Sequence, residues 1–189
     1  ITPQGLDPRC TAAAAGFLES LLSAALAVLV QAEQVAIPLL ARFTAVEVLD
    51  ASTIVLPDAL GPWWPGCGGA SPTNTSASLK IHVRYDLCSG SLQGPLLTDG
   101  RTHESTTPLQ TAPLPRGSLR VADLGYFCLA VLAAVAGEGS YFLSRMHRTT
   151  AVFTTTGRRT DLLDLLGPHP SYDLCVVLGC TPRLPVRLL

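Results

Sequence analysis

The residues best suited to chemistry are two aspartates. Asp50 closes the apolar run "AVEVLD" and is followed by Ala-Ser-Thr; Asp123 closes "LRVAD" and is followed by Leu-Gly-Tyr-Phe. A carboxylate at the end of an apolar strand is costly unless it is paired, hydrogen-bonded or bound to a metal. Two such acids on neighbouring strands would converge at one edge of a sheet, and would repel unless a cation or a proton lay between them. Hard oxygen ligands open to water suit Mg²⁺, which takes one or two carboxylates together with substrate phosphates. Ions held in that way serve phosphoryl transfer. A plainer reading stays open from spacing alone. An Asp after a strand is commonly a turn residue or a helix N-cap, and Asp123 could cap a helix over 126–137. Asp58, Asp86, Asp161 and Asp164 read in that plain way.

The elements that must position these acids are legible in outline. Residues 11–31 carry Phe17, Leu18, Leu21, Leu22, Ala25, Leu26 and Leu29 at helical spacing, after a plausible N-cap at Thr11. This predicts an amphipathic helix that packs its Leu face on protein. Glu19 inside it and the lack of flanking basic residues weigh against the competing reading, a membrane span of about 20 apolar residues. A short second helix is predicted over 36–42. "AVEVLDASTIVL" reads as a strand, followed by a Gly/Pro/Ser-rich loop with two exposed tryptophans. "LKIHVRYDL" is a strand with Leu79, Ile81, Val83 and Tyr85 on one face and Lys80, His82 and Arg84 on the other. A turn at Ser89-Gly90 returns it as a hairpin through "SLQGPLLTDG". Then come the strand of Asp123, a helix in "YFCLAVLAAVAGEG", a strand in "SYFLSRM", "TAVFTT", "TDLLDLLG", and a last strand in "YDLCVVLG". A hairpin beside βαβ units predicts an α/β fold, a mixed sheet flanked by helices, with the strands of Asp50 and Asp123 side by side.

Composition bounds the rest. Apolar residues make up 48% and charged residues 14%, the balance of a folded chain rather than a disordered one. The formal net charge of −1 leaves no global basic field for nucleic acid. The charge is graded, however: residues 1–60 hold two Arg against six acids, and residues 141–189 hold six Arg against three. Six cysteines form no CxxC pair, which reads as reduced thiols in a cytosolic protein rather than a disulfide frame or a zinc site. The first residue is Ile1 and the last run is "RLPVRLL", so both ends read as cuts through a longer protein.

Four stretches taken together carry a family resemblance. "VLDASTIVLPDAL", "LKIHVRYDLCSGSLQGPLLTDGRTHES", "LPRGSLRVADLGYF" and "SYFLSRM" resemble, in order, the DDE transposases of bacterial insertion sequences, with a DST first-acid motif and a DxGYF second-acid motif. The resemblance implies an RNase H-like catalytic domain over 45–189, incomplete, preceded by an N-terminal helical region over 1–44. It implies cutting and joining of DNA at transposon ends with Mg²⁺ or Mn²⁺, in the bacterial cytoplasm and without a membrane. It admits a homodimer of the intact protein. Asp50 and Asp123 match the first and second acids, as catalytic and metal-binding residues. Ser52 and Thr53 match the residues after the first acid. Lys80, Arg84 and Arg145 match basic positions that would touch DNA or form structural ion pairs. Glu104 stands where the family pattern has Asp. The family's third acid, a Glu in a downstream signature with Tyr, Arg and Lys, has no counterpart after Asp123; Glu138 lies in a helix-end loop. The expectation is therefore a transposase fragment that is inactive alone, with a catalytically inactive remnant keeping fold and DNA or subunit contacts as the alternative.

Overall fold

The computed structural model describes residues 11–29, 37–67, 77–167 and 172–189. Its first part runs α1 (Ala12–Leu29), β1 (Val46–Leu56), β2 (Ala77–Asp86), β3 (Leu92–Asp99), α2 (Pro108–Thr111), β4 (Leu119–Ala122), α3 (Leu129–Gly137) and β5 (Tyr141–Ser144). These strands form a mixed sheet in the order β3-β2-β1-β4-β5. β1, β2 and β3 pair antiparallel, whereas β4 pairs parallel to β1 and β5 parallel to β4. The α/β class and the adjacency of the two acid-bearing strands agree with the sequence reading. A parallel pair needs a crossover, and α3 supplies it between β4 and β5.

The alternation along β2 is as expected, but the covered face is the polar one. His82 and Arg84 are buried, while Leu79, Ile81, Val83 and Tyr85 are only partly covered. Opposite them on the same face lie Glu47 and Leu49 of β1 and Arg120 of β4. The segment 103–117 and α3 cover this face, burying Gln110, Tyr126, Leu132 and Val135. The other face carries Val48, Val121, Tyr141 and Leu143. It stays largely open, with Tyr141 59% and Leu143 55% exposed.

Charge burial on the inner face is compensated locally. Arg84 Nη2 lies 2.8 Å from Glu47 Oε1, and Arg120 Nη2 lies 3.7 Å from Glu47 Oε2. Arg84 also donates to the Pro113 carbonyl at 3.2 Å, and Arg120 to the carbonyls of Gln110 and Ala112. Burial raises the Glu47 carboxyl above its usual range although both guanidiniums pull it down, and burial lowers Arg120 despite Glu47. Desolvation thus exceeds pairing for both, the usual balance of an interior ion pair.

A second sheet follows that the sequence reading did not resolve. β6 (Val152–Thr154), β7 (Arg159–Thr160), α4 (Leu162–Leu166), β8 (Leu174–Leu178) and β9 (Leu184–Leu188) complete the chain. The order is β7-β6-β8-β9, all antiparallel. The terminal run "RLPVRLL" is therefore mostly strand β9, hairpinned on β8. Val152, Val176 and Leu178 form its core, with Leu129, Leu162 and Leu165 packed against them.

Two helical expectations need correction. α1 forms, and Thr11 Oγ1 accepts from the Ala14 N–H at 3.2 Å as a cap, but the described part of its apolar stripe stays exposed, Phe17 at 66% and Leu18 at 60%, with Leu21 and Leu22 also exposed. Ala and Leu favour helix through backbone propensity, apart from what their side chains meet. Residues 30 and 31, the predicted end of that helix, lie outside the described residues. The helix predicted over 36–42 is a single 3-10 turn, Leu40–Arg42; its first residue also lies outside. No helix among the described residues is long and apolar enough to cross a membrane. Cys67, Cys88, Cys128, Cys175 and Cys180 are free thiols; Cys10 lies outside the described residues.

Candidate active site

Strand register brings the two acids together. In the parallel pair, Val48 faces Val121 and Leu49 faces Ala122. One step further stand Asp50 and Asp123. Neighbouring strands lie about 4.8 Å apart, so the two acids stand side by side. The next strand adds Arg145, one step beyond the Ala122–Ser144 pair. An open cavity of ≈ 470 Å³ is lined by Val48, Asp50, Val121, Asp123, Leu143 and Arg145 among others. All three charged residues are exposed. β1 continues past Asp50 to Leu56, whereas β4 stops at Ala122, so the chain leaves the sheet at the second acid.

The Asp123 side chain is fixed from behind. Its Oδ1 accepts from the Gly125 N–H at 3.0 Å, capping the 3-10 turn Leu124–Tyr126. The plainer reading of Asp123 as a cap is thus realised, on a 3-10 turn rather than on the helix. Capping occupies Oδ1. Tyr126 ends the turn and points inward, 3% exposed. Its carbonyl accepts from Gln110 Nε2 at 2.6 Å, and its hydroxyl lies 3.3 Å from His82 Nδ1. His82 Nε2 lies 2.8 Å from Thr98 Oγ1. Burial pushes the Tyr126 phenol well up, and the negative charges of Glu104, Asp50 and Asp123 push it further. Burial lowers His82, and Lys80 lowers it further, while Glu104 works the other way. A neutral phenol and imidazole therefore sit under an acidic site, which suits a buried hydrogen-bond strut.

The basic residues singled out in the sequence separate. Arg145 is exposed beside the acids. Lys80 is largely covered, 3.3 Å from Glu104 Oε1, and donates to the Thr102 carbonyl at 2.9 Å. Arg84, expected to offer a cation to DNA or to form an ion pair, is 5% exposed and bound to Glu47. It therefore offers no charge to a ligand, because its partner and the carbonyls of 109–113 close over it. Glu104, His82 and Tyr126 were not singled out as site residues. The signal for Tyr126 was its place in "DLGYF"; none in the strand pattern pointed to His82.

The donor set fits a hard divalent cation in part. Two exposed carboxylates on adjacent strands, facing an open cavity, are within what Mg²⁺ accepts alongside phosphate oxygens and water. Among the described residues, no group of three His, Cys, Asp or Glu could hold a metal ion.

Residues 42–167 match the family model described as the transposase DDE domain. The chain is 30% identical over 155 residues to the transposase for insertion sequence element IS231F of Bacillus thuringiensis subsp. israelensis, covering 81% of this chain and 32% of that protein. It is equally 30% identical over 155 residues to the IS231B transposase of Bacillus thuringiensis subsp. berliner, with the same coverage. It is 29% identical over 114 residues to the IS1151 transposase of Clostridium perfringens, covering 59% of this chain and 23% of that protein. The chain thus spans about a third of the length of the IS231 relatives. No solved structure matches. The matched segment contains both acids, the whole five-stranded sheet and the crossover helix, and on that match the chain belongs to the transposase DDE-domain family.

Proposed function

We propose that the chain is the part of an insertion-sequence DNA transposase that supplies the first two acids of its active site. In this reading residues 45–189 are an incomplete RNase H-like catalytic domain and residues 1–44 a separate N-terminal helical region. The observation that carries it is the parallel register of β1 and β4, which sets Asp50, within β1, beside Asp123, just past the end of β4, on one cavity. Asp50 and Asp123 would hold Mg²⁺ or Mn²⁺. The bound ion would supply charge stabilisation for phosphoryl transfer at a DNA phosphate. The residues themselves do the positioning. Asp50 stands on a continuous strand paired with β2 along its length. Asp123 is oriented by the Gly125 N–H, leaving Oδ2 free of that bond. Arg145 supplies a cation beside the acids, placed to meet the phosphate backbone of DNA, the proposed partner.

The test is Mn²⁺ binding by the 189-residue chain, followed by electron paramagnetic resonance, with nicking of a labelled transposon-end duplex as a second readout. Asp50→Asn and Asp123→Asn should each abolish Mn²⁺ binding. Unchanged binding in both would overturn the metal reading. The finding that two acids but no third group converge among the described residues favours a second reading for the chain by itself: it keeps the fold and DNA or subunit contacts without cleaving. Nicking that Asp50→Asn abolishes would overturn that second reading.

A further inference from the structure

We propose that Glu104, held by Lys80, is a positioning residue that fixes the turn carrying Asp123; this rests on the reading of Asp123 as a metal ligand. Glu104 opens the 3-10 turn Glu104–Thr106, far from Asp123 in sequence. Its carboxylate nevertheless lies flat against Gly125. A Cβ built on Gly125 would sit 1.6 Å from Glu104 Oε2 and 3.3 Å from Asp123 Oδ1. Glu104 Oε2 therefore occupies the place where any other residue would carry its side chain, with Asp123 Oδ1 at its margin.

That point is where Asp123 is oriented. The Gly125 N–H donates to Asp123 Oδ1, and an exposed aspartate without such a bond samples several staggered rotamers. Glu104 closes the space beside Gly125 and so limits how far this amide can swing away. Carboxylates beside the same turn carry like charge and repel each other. Lys80 offsets this: its ammonium lies 3.3 Å from Glu104 Oε1, with side chains 13% and 24% exposed. Lys80 is itself anchored, to the Thr102 carbonyl at 2.9 Å. Glu104 is anchored through Thr107, whose hydroxyl donates to the Glu104 carbonyl at 2.9 Å. The result is a brace from β2 to the second acid. It gives Lys80 a place inside the protein, and a methyl group on residue 125 would displace the Glu104 carboxylate from its position.

The test has a readout that needs no metal. Amide exchange at Gly125, followed by nuclear magnetic resonance in the 189-residue chain, reports the bond to Asp123 directly. Glu104→Ala should speed that exchange on the order of tenfold, the loss of roughly one hydrogen bond's worth of protection. It should also weaken Mn²⁺ binding about tenfold, as loss of a group that orients a ligand does. Lys80→Met should move both in the same direction. Glu104→Gln, which keeps the shape and gives up the ion pair, should fall between native and Ala, and it carries the test if Glu104→Ala fails to fold. Unchanged Gly125 exchange in the folded variants overturns the proposal, even if their melting temperatures fall. Faster exchange with unchanged Mn²⁺ affinity also overturns it where Asp123→Asn abolishes Mn²⁺ binding. If Asp123→Asn leaves Mn²⁺ binding intact, it is the metal reading that fails, and Gly125 exchange still decides whether Glu104 braces the turn.

Discussion

Glu47 is the residue whose removal should cost the fold most per atom lost. It is 4% exposed and is the carboxylate that Arg84 and Arg120 share. Replacing it by Ala leaves two guanidiniums buried side by side with no counter-charge. Their carbonyl partners at 109–113 remain, so hydrogen bonding is partly kept, but charge neutrality is lost. Breaking a buried pair by removing one partner costs about 3–5 kcal/mol, against a total stability of about 5–15 kcal/mol for a domain. Each kcal/mol moves the melting temperature by about 2–4 °C at this chain length, so the drop should reach on the order of ten degrees. The same reasoning makes an asymmetric claim. Because burial outweighs pairing for both Glu47 and Arg120, removing the whole set should cost far less than removing Glu47. The triple variant Glu47→Leu, Arg84→Met, Arg120→Met should recover most of the loss. Urea unfolding of native, single and triple variants measures this. A Glu47→Ala cost below about 1 kcal/mol, the scale of an exposed pair, would refute the reasoning; so would a triple variant less stable than the single one.

Asp86 gives a pH signature. Burial works to raise its carboxyl, but hydrogen bonds from the Ser89 hydroxyl and from the Cys88, Val46 and Ser89 amides outweigh that and hold it low. A depressed folded pKa means stability that is present above the unfolded value of about 3.9 and is lost as pH falls through the folded one. Asp86→Asn should therefore flatten the acid limb of a stability–pH curve below about pH 4, and an unchanged limb would contradict the assignment. Gly94→Ala should cost about 1–3 kcal/mol, because Gly94 has φ +108 and an added Cβ would lie 2.8 Å from the His82 carbonyl oxygen; chemical denaturation checks it. If the proposed DNA contact holds, Arg145→Ala should weaken duplex DNA binding evenly across sequences and lower the salt slope by about one, measured by fluorescence anisotropy at several salt concentrations.

Much of this was legible because local pattern and local role coincided. Asp50 and Asp123 each end an apolar run, and the adjacency of their strands followed from that pattern, although only β4 stops at its acid while β1 continues to Leu56. The hairpin of β2 and β3 and the crossover helix α3 followed from alternation and from an Ala/Leu-rich run. The polar face of β2 shows the limit. Period-two alternation separated Lys80, His82 and Arg84 from their apolar neighbours, yet it could not say which face would be covered. That was decided by Glu47, by Arg120 and by carbonyls of the segment 109–113, all distant in sequence. The second sheet escaped for a different reason. β6 and β7 span three and two residues, too short for a period to register. The exposed stripe of α1 likewise could not be foreseen, since apolar spacing describes a face and not what meets it.

The parallel pairing of β1 with β4 also has a consequence for the order in which the molecule is made. The meander β1–β2–β3 joins neighbours along the chain and can close as soon as Asp99 has been synthesised. The aspartate pair cannot. It requires β4 to return across everything between Leu49 and Ala122, and the entropy of closing that loop must be met before the contact rewards it. Domains take shape from the amino terminus during synthesis, so a ribosome-bound intermediate would expose the hairpin sheet with Asp50 alone at its edge. The pairing of Asp50 with Asp123 should come into place abruptly once β4 and its crossover helix have emerged, which makes chain length itself the timer of that pairing, and of the proposed cation binding with it.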